Sequence, residues 1–216
     1  MPQANVFRWR DGAGWLILSG GDDPNSADST EIEAETLARL APGDPLAYIW
    51  AAGNVEDADE RLTALEELGA PTGFLVDIMT EDDETLRRQL SEAALIVLGD
   101  GPDGAQLRSS LLGAALDGIS AAYERGAVIL GVGSGSAVLG GFLGEKDGLK
   151  WVERAIIQPH YELEASAAAL RAQLANHPEA YGLGIGTGSA LALGPQGEVA
   201  AWGKKQITVA LGSKIA

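Results

Sequence analysis

The chain has 216 residues, 46% of them hydrophobic, enough for a single domain (residues 1–216) with a full core. Its 31 acidic residues outnumber 15 basic ones, giving a formal net charge of −16, so phosphate backbones and anionic lipid surfaces are repelled and neither nucleic acid nor membrane is an expected partner. Cysteine is absent, which excludes disulfides, thiolate metal sites and a cysteine nucleophile.

Met1–Asn5 lacks the basic start and apolar stretch of a signal peptide, and no apolar run approaches the ~20 residues that span a membrane, so the expected location is cytoplasmic. Trp15–Ser19 reads as a strand ending in Gly20-Gly21-Asp22-Asp23. A helix is predicted from Thr30 to Leu40, broken by Ala41-Pro42-Gly43-Asp44, and Leu46–Ala51 is the second strand. Asp57–Leu68 is amphipathic, with Leu62, Leu65 and Leu68 on one stripe and Gly69 as its stop. Gly73–Met79 is the third strand. Thr80, with Asp83 three residues on, fits the cap of a helix through Leu86 and Leu90.

Ala94–Leu98 is a fourth strand, and Gln106–Arg125 is a long helix with a break expected near Gly113. Ala127–Leu130 is a buried strand that feeds a glycine-rich turn, after which Ser136–Phe142 starts a helix. From Gly144 the elements shorten: strand Arg154–Ile157, helix Ala165–Asn176, then Tyr181–Gly186. Ala190–Leu193, Val199–Trp202 and Gln206–Ala210 read as antiparallel strands around the turn at Gly194-Pro195-Gln196-Gly197. The alternation predicts an α/β fold: a three-layer sandwich on a mainly parallel sheet with antiparallel C-terminal strands.

Chemistry in such sheets gathers where loops leave the carboxyl ends of strands. Gly20–Asp23, Gly99-Asp100-Gly101, Gly131–Gly135 and Gly182–Gly188 are the candidate loops, their glycines allowing backbone amides close to a ligand. The acidic runs at Asp22–Asp23, Glu56–Glu60 and Glu81–Glu84 read as solvated surface; no metal-ligand spacing appears, and no cofactor is expected. Gly131-Val132-Gly133-Ser134-Gly135 has the layout of a nucleophile elbow, G-x-S-x-G, with glycine at the serine position. An elbow residue is held in strained backbone, so a glycine there relieves strain once a hydroxyl is not needed, and a positive φ is expected at Gly133. As a dinucleotide fingerprint the same run is weak: it falls late in the sheet and lacks the strand-end acid about 20 residues on.

The segment Arg125-Gly126-Ala127-Val128-Ile129-Leu130-Gly131-Val132-Gly133-Ser134-Gly135-Ser136 resembles, without a gap, the elbow R-G-x-V-x-A-G-T-S-A-G-A of the S51 serine peptidases, the family of peptidase E and cyanophycinase within the glutamine-amidotransferase-like fold. Gln158-Pro159-His160-Tyr161 is similar to that family's D-x-H-F, and Gly182-Leu-Gly-Ile-Gly-Thr-Gly-Ser-Ala-Leu191 to its G-I-G-I-D-E-D-T-A-L. Gly99-Asp100-Gly101 resembles the G-G-N or G-G-D loop that supplies an oxyanion amide, with Gly101 and Ser134 as the cleft's donors here. The resemblance covers most of the chain, strongly after Ala94 and loosely before it.

Carried over, the resemblance implies a degenerate triad. The nucleophile falls on Gly133 and the acid that orients the histidine on Thr187; the Asp before that acid becomes Gly186, and the Asp of D-x-H-F becomes Gln158. The arginines that follow the family's histidine are replaced by Glu162-Leu163-Glu164-Ala165-Ser166, and of the triad His160 alone remains. The implied function is a non-catalytic homologue whose cleft takes a small peptide or amino-acid-like ligand. The alternative is a serine hydrolase using Ser134 and His160 with an unusual or absent third member, and it requires a serine oxygen within hydrogen-bond reach of His160; the sequence does not say whether a distant acid such as Glu153, Glu162 or Asp147 takes the orienting role. Ser136 is expected to pack at the helix start and His177, before Pro178, to end a helix. A homodimer is a further partner option.

Overall fold

In the computed structural model, which describes residues 7–21, 26–51 and 53–215, strands and helices alternate from β1 (Trp15–Ser19) and α1 (Ala27–Leu37) through β2 (Leu46–Ile49), α2 (Val55–Glu67), β3 (Gly73–Val76) and α3 (Asp83–Glu92). Next come β4 (Leu95–Leu98), α4 (Gly104–Leu111), α5 (Ala114–Arg125), β5 (Val128–Val132) and the short α6 (Ser134–Val138). The two-residue strands β6 (Phe142–Leu143) and β7 (Lys146–Asp147) precede β8 (Ala155–Gln158), α7 (Ala165–Asn176) and β9 (Tyr181–Ile185). The chain closes with β10 (Ser189–Leu193), β11 (Val199–Gly203) and β12 (Ile207–Leu211).

Among the described residues the main sheet has the order β11-β10-β1-β5-β4-β2-β3. Strands β1 to β5 run parallel, and β10 and β11 extend the sheet antiparallel beyond β1. Strand residues alternate between faces, and each face meets its own helices. Leu16, Leu18, Ile49, Ile96, Leu98 and Ile129 pack with Leu90 of α3, Leu107 of α4 and Ile119 of α5. Ile17, Leu46, Tyr48, Val97 and Leu130 face the opposite way, onto Ile32 of α1 and Leu62 and Leu65 of α2. Both faces are buried, so the strands are apolar throughout and the layers number three, as the alternation predicted.

A second sheet, β12-β9-β8-β6-β7, departs from the expectation of one sheet. Ile157, Leu183 and Ile185 turn inward to the main core, while Ile156 faces Leu170 and Leu174 of α7. The strand predicted at Gln206–Ala210 therefore leaves its neighbours: β12 pairs with β9, not with β11.

Local chemistry explains the shifted boundaries. Helix α1 starts earlier than Thr30 because the Ser26 hydroxyl accepts from the Asp28 N–H at 3.2 Å. Strand β3 stops at Val76 because Asp77 closes a turn, its carboxylate accepting from the Met79 N–H at 3.0 Å and the Thr80 hydroxyl at 2.7 Å. Thr80 is thereby engaged, and the cap of α3 is Asp82, which accepts from the N–H groups of Glu84 and Thr85, both at 3.0 Å. The predicted long helix breaks between α4 and α5 at Gly113, whose φ of 98° no helix interior allows. His177 caps α7 and stacks on Phe142 with ring centroids 4.0 Å apart. No helix among the described residues is long and apolar enough to cross a membrane.

The turn after β5 is where packing is least forgiving. A methyl on Gly135 would overlap the Leu98 carbonyl, a backbone atom that cannot rotate away. Gly135→Ala is expected to cost about 1–3 kcal/mol, the usual toll of overpacking, read from its urea-denaturation midpoint.

Candidate active site

Five strand ends converge at one edge of the molecule. Strand β1 leads to Gly20 and Gly21, β4 to Asp100 and Gly101, β5 to Gly133 and Ser134, β8 to His160, and β9 to Thr187. Backbone hydrogen bonds join the two sheets there: the His160 N–H donates to the Gly20 carbonyl at 2.7 Å, and the Gly188 N–H to that of Gly21 at 3.0 Å. The first bond helps hold His160 at φ 48°, a left-handed conformation uncommon outside glycine. A side chain on Gly21 would run into the imidazole, so that glycine makes room for the ring. Asp22 and Asp23, the rest of that candidate loop, lie outside the described residues.

The elbow is present as a turn. Gly133 has φ 52° and ψ −116°, in the territory of glycine and in agreement with the positive φ expected. A Cβ on Gly131 would lie 2.7 Å from the Gly135 carbonyl oxygen and 2.8 Å from the Ser136 Cα, so strand and helix close tightly around the turn. Ser136, fully buried, lies with its Oγ 2.7 Å from the carbonyls of both Ser19 and Gly131, tying β1 to the turn. It is structural.

A Cβ built on Gly133 falls inside the Asp100 carboxylate, so a side chain there would require that carboxylate to shift. Asp100 Oδ1 accepts from the Ser134 N–H and from the Gly101 N–H, each at 2.8 Å. Asp100 Oδ2 lies 2.8 Å from His160 Nε2. The two amides expected to form an oxyanion hole are thus occupied by an oxygen of the protein itself. Burial alone would raise the Asp100 carboxyl, but hydrogen bonds from His160, Ser134 and Gly101 outweigh it and hold the group below its ordinary value of 3.8. Asp100 is the side chain at this site that sequence reasoning missed. Its loop was singled out for its amides, and the only signal was the side-chain volume that glycine leaves empty at position 133.

Thr187 stands beside the histidine, its Oγ1 3.3 Å from His160 Nδ1, so the expected neighbour is there with a hydroxyl in place of a carboxylate. Ser134 and His160 are not brought together. The Ser134 Oγ is buried without a hydrogen-bond partner, and its Cβ faces the start of α4 near Gly104. The serine-hydrolase alternative thus lacks its required contact. Asp147 pairs with Lys150 at 2.9 Å, Glu153 lies at a separate cavity beside Arg8 and Arg10, and Gln158 contacts Gln173. Glu162 is exposed at the start of the segment before α7.

Asp100, Gly101 and His160 open onto a cleft of about 570 Å³ whose other walls include Tyr48, Trp50, Asn54 and Asp57. Arg61 lines the adjoining cavity, which shares Tyr48, Asp57 and Asp100 with the cleft. Among the described residues no group of three or more His, Asp or Glu side chains is arranged to hold a metal ion.

No family model and no curated protein sequence matches the chain. Solved structures do. A peptidase from an acI-B1 Actinobacterium superposes with a TM-score of 0.72 at 18% identity, over 94% of this chain and 93% of that one. A putative peptidase E protein from Listeria monocytogenes EGD-e gives 0.63 at 18% identity, over 91% and 97%. The chain has the peptidase E-like, glutamine-amidotransferase-like α/β fold expected from its sequence.

Two outcomes follow from the shared volume of Gly133 and Asp100. Gly133→Ala should be destabilising both through its positive φ, about 1–3 kcal/mol, and through overlap with the carboxylate. Adding Asp100→Gly should recover part of that loss, with a coupling of about 0.5–3 kcal/mol in a double-mutant cycle; strict additivity would mean the two residues do not compete for space. The pH dependence has a definite sign. A carboxyl lowered in the folded state contributes stability above its unfolded value of 3.8 and loses it as pH falls through the lower folded value. Denaturant midpoints taken from about pH 5 to about pH 2 should therefore fall less steeply in Asp100→Asn than in the parent.

Proposed function

We propose that the chain is a homologue of the S51 serine peptidases that is non-catalytic as a peptidase and retains its cleft for a small peptide or amino-acid-like ligand. The observation that carries this reading is the Asp100 carboxylate, which lies in the volume a nucleophilic side chain at position 133 would need and engages both oxyanion amides. Acyl transfer requires a nucleophile at the elbow and free donors for the developing oxyanion. Here the first is a glycine, and the second are hydrogen-bonded to an anion. The fold shared with two peptidases supports the relationship, and the cleft's volume falls within the range of small-molecule sites.

Labelling with a fluorophosphonate probe, read by intact mass beside a Ser134→Ala control and an Asp-X dipeptide assay, tests the reading. The expected result is no adduct and no turnover. A single adduct that disappears in the control would identify Ser134 as an activated nucleophile and refute it.

A further inference from the structure

The outer edge of the second sheet is built to accept another strand, and we propose that β12 binds an extended peptide segment whose alternate residues are apolar and whose ends are acidic. The inference lies beyond the proposed function and does not depend on the cleft. Register, exposure and charge carry it.

Strand β12 has β9 on one side and, among the described residues, no strand on the other. Its register decides which backbone groups face outward. The Gly186 N–H donates to the Gln206 carbonyl at 3.0 Å, and the Gly212 N–H to the Ala180 carbonyl at 2.9 Å. Both pairs belong to the ladder in which Thr208 meets Gly184 and Ala210 meets Gly182, so the even-numbered residues of β12 bond to β9 and the odd-numbered ones point away. The N–H and C=O groups of Val209 and Leu211, with the C=O of Ile207, therefore line the free edge. The Ile207 N–H is already given to the Lys205 carbonyl at 3.0 Å.

The side chains of the same residues carry a core out into solvent. Tyr181, Leu183 and Ile185 of β9 are fully buried, and opposite them in the ladder stand Leu211, Val209 and Ile207. Ile207 packs against the core, but Val209 is 47% exposed and Leu211 59%. Val199 on β11, opposite Leu193 of the same core, is also half exposed. A strand added antiparallel to β12 would set its own apolar residues beside Ile207, Val209 and Leu211 on this face, the cross-strand pairing that stabilises sheets. Main-chain bonds then supply affinity, and alternate side chains supply selectivity.

Charge selects the partner. Residues 199–216 contain three lysines and no acid, in a chain of net charge −16. Lys204 and Lys205 precede β12 and Lys214 follows it. All three are exposed, and no carboxylate of a described residue pairs with them. Lysine at an edge guards a strand against pairing with its own kind. A second copy paired antiparallel about Val209 would bring the Lys204–Lys205 end of each strand against the Lys214 end of the other, and like charges oppose that. The same positions suit a strand that carries carboxylates beyond both ends. The remaining edges fit it less well. Strand β7 has two residues, at β3 the Glu66 carboxylate takes the Gly73 N–H at 2.8 Å, and β11 starts beside Glu198 and is cationic at one end only.

The test measures binding of fluorescein-labelled Asp-Glu-Val-Thr-Val-Thr-Val-Glu-Asp to the full chain by fluorescence anisotropy. Saturable binding is expected. It should weaken at least about tenfold when the central valine is N-methylated, when lysines replace the peptide's acids, and in the double variant Lys205→Glu/Lys214→Glu, which should in turn prefer the lysine-ended peptide. Val209→Pro removes an outward N–H and keeps the bonds to β9, so it should also lose at least about tenfold, its folding checked by Tm. Should it fail to fold, the exchange of charges between protein and peptide decides alone. No saturable binding, or binding indifferent to these changes as a peptide seated in the cleft would be, would overturn the inference. A dimer in sedimentation that Val209→Pro dissociates would assign the edge to a second copy and overturn it as well. A fluorophosphonate adduct on Ser134 would refute the proposed function alone and leave the edge result standing.

Discussion

The interaction on which the site depends is the capture of one carboxylate by donors from separate parts of the chain. Asp100 leaves β4, and its oxygens meet an amide of its own loop, an amide at the start of α6 and an imidazole following β8 in the other sheet. Burial of a charge is unfavourable unless it is hydrogen-bonded, and three donors provide what water would otherwise supply. In return the carboxylate fixes the relative positions of the elbow and the histidine loop. The cleft geometry is therefore set by a single anion, where a serine peptidase would set it by a chain of hydrogen bonds through its nucleophile.

That anion can occupy its place because the elbow has no side chain. Gly133 contributes its positive φ to the turn and its missing Cβ to the neighbouring loop, two consequences of one glycine. Thr187 lies beside the other nitrogen of the imidazole. The acid of this site approaches Nε2 and the neutral hydroxyl Nδ1, the reverse of an arrangement in which a carboxylate orients the base and a hydroxyl attacks.

Much of this was legible in the sequence, and the reasons differ by residue. The elbow could be read because a strand, a glycine-rich turn and a helix are local features, and Gly133 was visible in it. His160 and Thr187 could be paired only through the family resemblance, whose motifs run from one to the other without a gap. Asp100 could not be read, since the direction of its side chain depends on a void created by a glycine in a different loop. The second sheet was hidden for another reason. Strands β6 and β7 are two residues each, too short for any periodicity, and β12 has the alternation of a hairpin partner while crossing to β9. Strand pairing across the chain is decided by which apolar face finds cover, which a local pattern does not contain.

The interlock between Gly133 and Asp100 also acts on the routes by which this sequence can change. A serine at position 133 would meet the Asp100 carboxylate in its space, so it requires that side chain to turn away. Removing Asp100 would free the Gly101 and Ser134 amides, leave glycine at the turn and take a carboxylate away from His160 Nε2. A change at either position alters the room or the partners left to the other. The pair is thus a joint constraint on sequence change, since a side chain at 133 and the present pose of Asp100 exclude one another.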